Sequence, residues 1–200
     1  MDYQPLIEKF GIKTIKELHE LFDQEIVYDW IKLYEAMSEK HGEITIQNFF
    51  GYTFAIDDGN QLITDKENPK EMLESRVVAV FGISNTSVNH SNRKMMRKWI
   101  GSTAEVFSPY GDNYDKGHFI AHGFGGPIDI NLFPQRRDIN RGWGDEGKPY
   151  RQMEKFIAAN LGTFVFSRPL YTDLSFCPTE LEYGYCIQSL NFEVKRFPNR

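Results

Sequence analysis

The first forty residues carry a helical rhythm. Leu18, Leu21, Phe22, Ile26, Trp30, Leu33, Tyr34 and Met37 recur at three-and-four spacing, which predicts one apolar face of a helix or helix pair within residues 4–41. From Ile44 the period shortens. ITIQNFFGYTFAI is rich in β-branched and aromatic residues, DDGN supplies a turn, and QLITD completes a hairpin. NPKEMLE reads as a short helix or loop and RVVAVFGIS as a buried strand. Residues 89–101 form a helix or a basic loop, strand-like AEVFS follows, and SPYGDNYDKG is a turn. IDINLFPQ is extended and closes on Pro134, RRDINRGWGDEGKP is an interrupted helical stretch, and YRQMEKFIAANLG is a helix stopped by Gly162. GTFVFSRPLY makes a strand and LEYGYCIQSLNFEVKRF one or two more. Strands and helices segregate instead of alternating, so the fold class expected is α+β.

Composition bounds this picture without changing it. Two hundred residues, 40% hydrophobic and 26% charged, suit one domain with a sizeable core. Cys177 and Cys186 make no zinc-ribbon or redox spacing, which fits a reducing compartment. MDYQPLIEKFGIK lacks the basic and apolar regions of a signal peptide, and no stretch has the length of a membrane span. A soluble protein without a membrane partner is expected, cytoplasmic or exported without a cleaved signal peptide.

Charge does change it. The net charge is −5, which on its face disfavours a nucleic-acid partner. All of the excess acid, however, lies in residues 1–50. The remainder is neutral overall and carries two basic clusters, Arg93, Lys94, Arg97 and Lys98, then Arg136, Arg137 and Arg141. Such patches can hold a phosphate backbone.

The candidate chemistry centres on residues 114–126, YDKGHFIAHGFGG. His118 and His122 have the i, i+4 spacing of a helical zinc site, but the metalloprotease signature needs a glutamate beside the first histidine, and Phe119 stands there. Downstream the chain offers NLFPQRRDINRG and then YRQMEKF. His118, Asn131, Asn140 and Glu154 thus follow one another on a predicted strand–loop–strand–helix.

That order resembles the DNA/RNA non-specific endonucleases of the ββα-metal (His-Me finger) group. DKGH matches three of the four residues of the family's DRGH. Asn131, Pro134 and Gln135 fit its N-x-x-P-Q element, Asn140 lies nine residues after Asn131, and Glu154 falls on the helix. RPLYTDLSFCPTELEYGY looks like the closing strand, and the likeness spans about residues 75–200. It implies a ββα-metal core (114–160) on an antiparallel sheet in a nuclease domain, 46–200, preceded by a helical region, 1–45, with a packing or regulatory role.

The resemblance also implies roles. His118, with an unperturbed pKa near 6.5, would take a proton from water as general base. Asn140 would hold Mg²⁺ or Mn²⁺, hard cations for which one amide oxygen and several waters suffice. Glu154 would hold metal-bound water, and Asn131 would orient His118 or support the metal. Lys116, Arg136, Arg137 and Arg141 are the candidates for phosphate contact. The substrate implied is DNA, with RNA left open, cut with little sequence preference. The setting implied is a bacterial toxin or defence nuclease, with an inhibitor protein and a homodimer as open partners.

Two departures qualify the match. Lys116 replaces the family arginine and offers a point charge where a planar fork is expected, so Arg136 or Arg137 could supply the phosphate contact instead. The stretch from Asn140 to Glu154 is long and carries Gly142, Gly144, Gly147 and Pro149, which predicts a broken or looped helix and leaves Asp145 or Glu146 as alternatives to Glu154. The rival reading is a catalytically silent relative that binds nucleic acid or a protein partner.

Overall fold

The computed structural model describes residues 2–37, 41–58, 75–86, 108–128 and 130–200. The basic cluster at 93–98, and the segments QLITD, NPKEMLE and AEVF, lie outside them. The N-terminal rhythm resolves into α1 (Gln4–Lys9), α2 (Ile15–Leu21) and α3 (Val27–Met37). A π-helical turn, Phe22–Ile26, joins α2 to α3. Thr14 caps α2 by accepting from the Glu17 amide, while the Glu17 carboxylate accepts from the Lys13 amide one residue further out, so both ends of this turn are satisfied.

Six strands form one antiparallel sheet: β1 (Ile44–Phe49), β2 (Tyr52–Asp57), β3 (Arg76–Ile83), β6 (Phe164–Leu170), β7 (Glu180–Cys186) and β8 (Phe192–Pro198), in that spatial order. Phe50 and Gly51 take φ of 55° and 85° in the two-residue turn between β1 and β2, the conformation that a tight hairpin of right-twisted strands requires. A separate two-stranded hairpin pairs β4 (Tyr114–His118) with β5 (Leu132–Arg136).

Alternation along the central strands divides the core in two. Ala55, Val78, Phe81, Phe164 and Phe166 face the N-terminal helices, where they meet Leu18, Phe22, Val27 and Trp30. Phe54, Val80, Val165, Leu181 and Tyr183 face the other way, onto Phe119, Phe133, Ile139, Tyr150, Met153 and Ile157. The sheet is therefore buried on both faces, which explains why β2 and β3 read as continuous apolar runs. The hairpin β4–β5, with α4 (Arg137–Arg141) and α5 (Gly144–Ala159), lies across the sheet from α1–α3. These acidic helices share a core with the sheet and do not cover the hairpin.

Two expectations change and a third is narrowed. The tail of SPYGDNYDKG is not a turn: 3-10 turns within Ser108–Asn113, kinked at Gly111, lead into strand at Tyr114. The helix is broken as expected, but the break is confined to Gly142 and Trp143, and α5 already begins at Gly144. Leu33 and Met37, on the predicted apolar face, are 48% and 58% exposed, so the buried face ends near Tyr34. Among the described residues no helix is long and apolar enough to cross a membrane.

Candidate functional site

The hairpin is built around Gly117. A Cβ there would lie 2.3 Å from Gln135 Oε1 and 2.4 Å from Gln135 Cβ, so the glycine of DKGH makes room for the glutamine of the second strand. Gln135 sits opposite Asp115 in the register and His118 opposite Leu132. Pleating puts Lys116 and His118 on one face of β4.

Asp115 ties the hairpin to α4. Its Oδ2 accepts from Arg141 Nε at 2.7 Å and from Asn140 Nδ2 at 3.3 Å, and its Oδ1 accepts from Arg141 Nη2 and Arg137 Nε, both at 3.1 Å. Burial works against this carboxylate, but hydrogen bonds from Arg141, Asn140 and Arg137 outweigh it, so its pKa lies below the ordinary aspartate value. Two guanidiniums on one carboxylate leave a surplus of positive charge, and half-buried Lys116 adds to it. Lost hydration pulls the Lys116 pKa below that of a solvated lysine.

His118 is held from α5. Tyr150 donates its hydroxyl to the His118 carbonyl at 3.4 Å. Burial raises the Tyr150 pKa well above its ordinary value, which keeps the phenol a donor. One turn further along the same helix, Glu154 is buried, and its Oε2 accepts from Arg151 Nη1 at 2.8 Å. Burial raises its pKa, with Arg151 opposing.

Asn131 is fully buried, and its amide clasps the loop after β4. Its Oδ1 accepts from the Ile120 amide at 2.9 Å, and Nδ2 donates to the carbonyls of Ile120 and Pro127 at 2.8 Å each. Both ends of the side chain are thus engaged by backbone. The glycine run belongs to the same loop: Gly125 has φ of 100°, and a Cβ on Gly126 would lie 1.8 Å from the Ile120 carbonyl oxygen. The close approach that these glycines allow is to their own chain. His122 opens a single 3-10 turn, His122–Phe124, whose Phe124 carbonyl accepts from Tyr52 and from the Asn85 amide.

Arg136 folds back onto two carboxylates. Its guanidinium bonds Asp138, Glu146 at 2.7 Å and the Pro198 carbonyl at 3.3 Å, while its amide donates to Asn199 Oδ1 at 2.9 Å. Glu146, the alternative acid, is thereby committed to Arg136. Buried Asn199 also donates to the carbonyls of Pro134 and Pro178 at 2.9 Å each, locking β5 to the chain end. Neither Asn199 nor Tyr150 stood out in the sequence, since a lone Asn or Tyr carries no signal until a partner is known.

For a divalent cation the donors are few. Among the described residues no three His, Cys, Asp or Glu side chains cluster as a metal centre. Asp115 is shared among Arg137, Asn140 and Arg141, whereas Asn140 uses its Nδ2 on Asp115 and presents an amide oxygen, Oδ1, as a hard donor. That set suits a cation that keeps most of its water, and it does not suit a site needing several nitrogen or sulfur ligands. A cavity of about 1000 Å³ lies instead beside α3, lined by Trp30, Leu33, Tyr34, Met37 and Arg76 among others, and none of the candidate residues lines it.

No protein-family model matches the chain, and no curated protein matches it. The chain is similar to the solved structure of Sda1 nuclease with bound zinc ion, at 15% identity and a TM-score of 0.38, over 80% of this chain and 76% of that one.

Proposed function

We propose that the chain is a metal-dependent endonuclease of the ββα-metal kind, cutting phosphodiester bonds in DNA, with RNA left open, as a toxin or defence nuclease. The observation that carries this reading is the bond from Asn140 to Asp115. Asp115 of the DKGH element and Asn140 lie twenty-five residues apart in sequence and are brought into contact by this bond. His118 would accept the proton of the attacking water. Asn140 Oδ1 would hold Mg²⁺ or Mn²⁺, which would supply positive charge against the developing phosphorane. Arg137, Arg141 and Lys116 would hold the substrate phosphate, and contacts confined to phosphate leave sequence unread. Asn131 fits a positioning role, fixing the loop that follows His118, and Glu154 stands ready to hold water only once Arg151 releases it.

The test is supercoiled-plasmid cleavage with Mg²⁺ or Mn²⁺, with EDTA, and with a folded His118→Ala variant. Metal-dependent nicking that falls by about 10²-fold or more in the variant supports the reading. No cleavage of plasmid or total RNA with either metal would overturn it. The commitment of Asp115 to two arginines favours one second reading, a silent relative that binds nucleic acid through the same cationic surface. It would retain oligonucleotide binding without nicking.

A further inference from the structure

Trp143 stands 53% exposed at the junction of α4 and α5, three residues after Asn140. A tryptophan left in water on a well-built helix junction calls for a reason, because burying it would contribute a large apolar area. Its placement is rigid. The Trp143 amide donates to the Asp138 carbonyl at 2.7 Å, and its own carbonyl accepts from the Gly147 amide at 3.1 Å. Gly142 turns the chain with φ of 74°, and Gly147 has no space for a Cβ, which would lie 2.3 Å from the Asp138 carbonyl oxygen.

The side chain is oriented as well. The Arg141 guanidinium carbon lies 5.1 Å from the Trp143 ring centroid, within cation–π range. The same guanidinium holds Asp115 with two hydrogen bonds. The indole is thereby fixed relative to β4 and to Asn140. Arg141 can cover only one face of the ring, and with this contact in place the residue is still 53% exposed.

We infer that Trp143 is a stacking platform for an unpaired nucleobase, so that the site takes single-stranded nucleic acid, or strands with unstacked bases, in preference to intact duplex. This rests on the nucleic-acid reading of the site and adds the substrate form to it. A base presents a π face only when freed from its stack, and an aromatic ring beside a cationic phosphate surface is the arrangement that binds single strands without reading sequence. The residue positions substrate and takes no part in proton transfer.

The experiment titrates wild type, Trp143→Ala and Trp143→Phe, in EDTA, against one labelled oligodeoxynucleotide, single-stranded or annealed, followed by fluorescence anisotropy. Alanine is expected to weaken single-strand binding by about tenfold or more, phenylalanine by about threefold or less, and duplex binding to change little in either. Indole emission should be quenched by the single strand in wild type and not in Trp143→Phe. Single-strand binding within about twofold in all three proteins, or none in wild type, would overturn the platform. Plasmid nicking with Mg²⁺, run alongside, separates the two readings. Nicking with Trp143-independent binding removes the platform alone, whereas Trp143-dependent binding without nicking removes the catalysis alone.

Discussion

Asn140 donates to Asp115 across the gap between α4 and β4, 3.3 Å from Nδ2 to Oδ2, and this bond fixes which end of the amide is turned to the carboxylate. Asp115 thereby sets the charge of the site and the orientation of its metal-binding candidate together. Asp115→Asn is expected to keep the shape while losing the attraction of Arg137 and Arg141. Because the folded pKa of Asp115 is depressed, its stabilising contribution is present above the unfolded aspartate value near 3.9 and fades as pH falls through the folded value. The difference in melting temperature between wild type and variant should be full at pH 6 to 7 and shrink as pH falls below the unfolded aspartate value of about 3.9. A constant difference across that range would count against the linkage.

Gly117 admits Gln135. Gly117→Ala would force a Cβ onto the glutamine side chain, and overpacking of this kind costs about 1–3 kcal/mol. Chemical denaturation should show that loss, and Gln135→Ala in the same chain should recover much of it. If the double variant is no more stable than Gly117→Ala, the clash is not the cause.

Asn131→Ala removes three bonds to buried backbone at once. A loss of about 3 kcal/mol or more is expected, since backbone groups left buried and unpaired each cost roughly 1–3 kcal/mol. If Asn131 acts only by fixing the loop after His118, residual nicking activity should track the folded fraction. Full stability with abolished nicking would instead give it a direct chemical role.

What was legible in the sequence divides along physical lines. The period-3.6 face from Leu18 to Tyr34 and the apolar runs of β2 and β3 are local patterns, and the structure has helices and strands there. The order DKGH, N-x-x-P-Q, Asn was also visible, because each element is contiguous. The partner of a charge was not: Arg136 and Arg141 are alike on paper, yet one folds back onto Asp138 and Glu146 and the other onto Asp115. Of the glycines in 142–149, Gly142 does break the helix, but the others were unreadable for a related reason. Gly147 resembles a helix breaker but is required where α5 packs against the Asp138 carbonyl, and such a close approach exists only in three dimensions.

That difference between the arginines is measurable. Arg137→Ala and Arg141→Ala should weaken oligonucleotide binding, and each should reduce the slope of log affinity against log salt by about one. Arg136→Ala should lower the melting temperature, since it strips Asp138, Glu146 and the Pro198 carbonyl of a shared partner, and leave the salt slope unchanged. A salt slope that moves with Arg136 and not with Arg141 would reverse the assignment.

Glu154 poses a choice between stability and activity. Burial raises its pKa, so the folded chain binds the Glu154 proton more tightly than the unfolded chain does. Relative to a neutral side chain, ionised Glu154 therefore costs stability as pH rises through the folded value, and the cost disappears below the unfolded value near 4.3. Glu154→Gln keeps the shape and removes the buried charge, so it is expected to melt higher than wild type at pH 7 to 8 and to match it toward about pH 3. Plasmid nicking by the same variant decides the role. A fall of about tenfold or more in a more stable protein would mark a carboxylate retained for catalysis against its own cost in stability. Unchanged nicking would reduce Glu154 to the partner of Arg151.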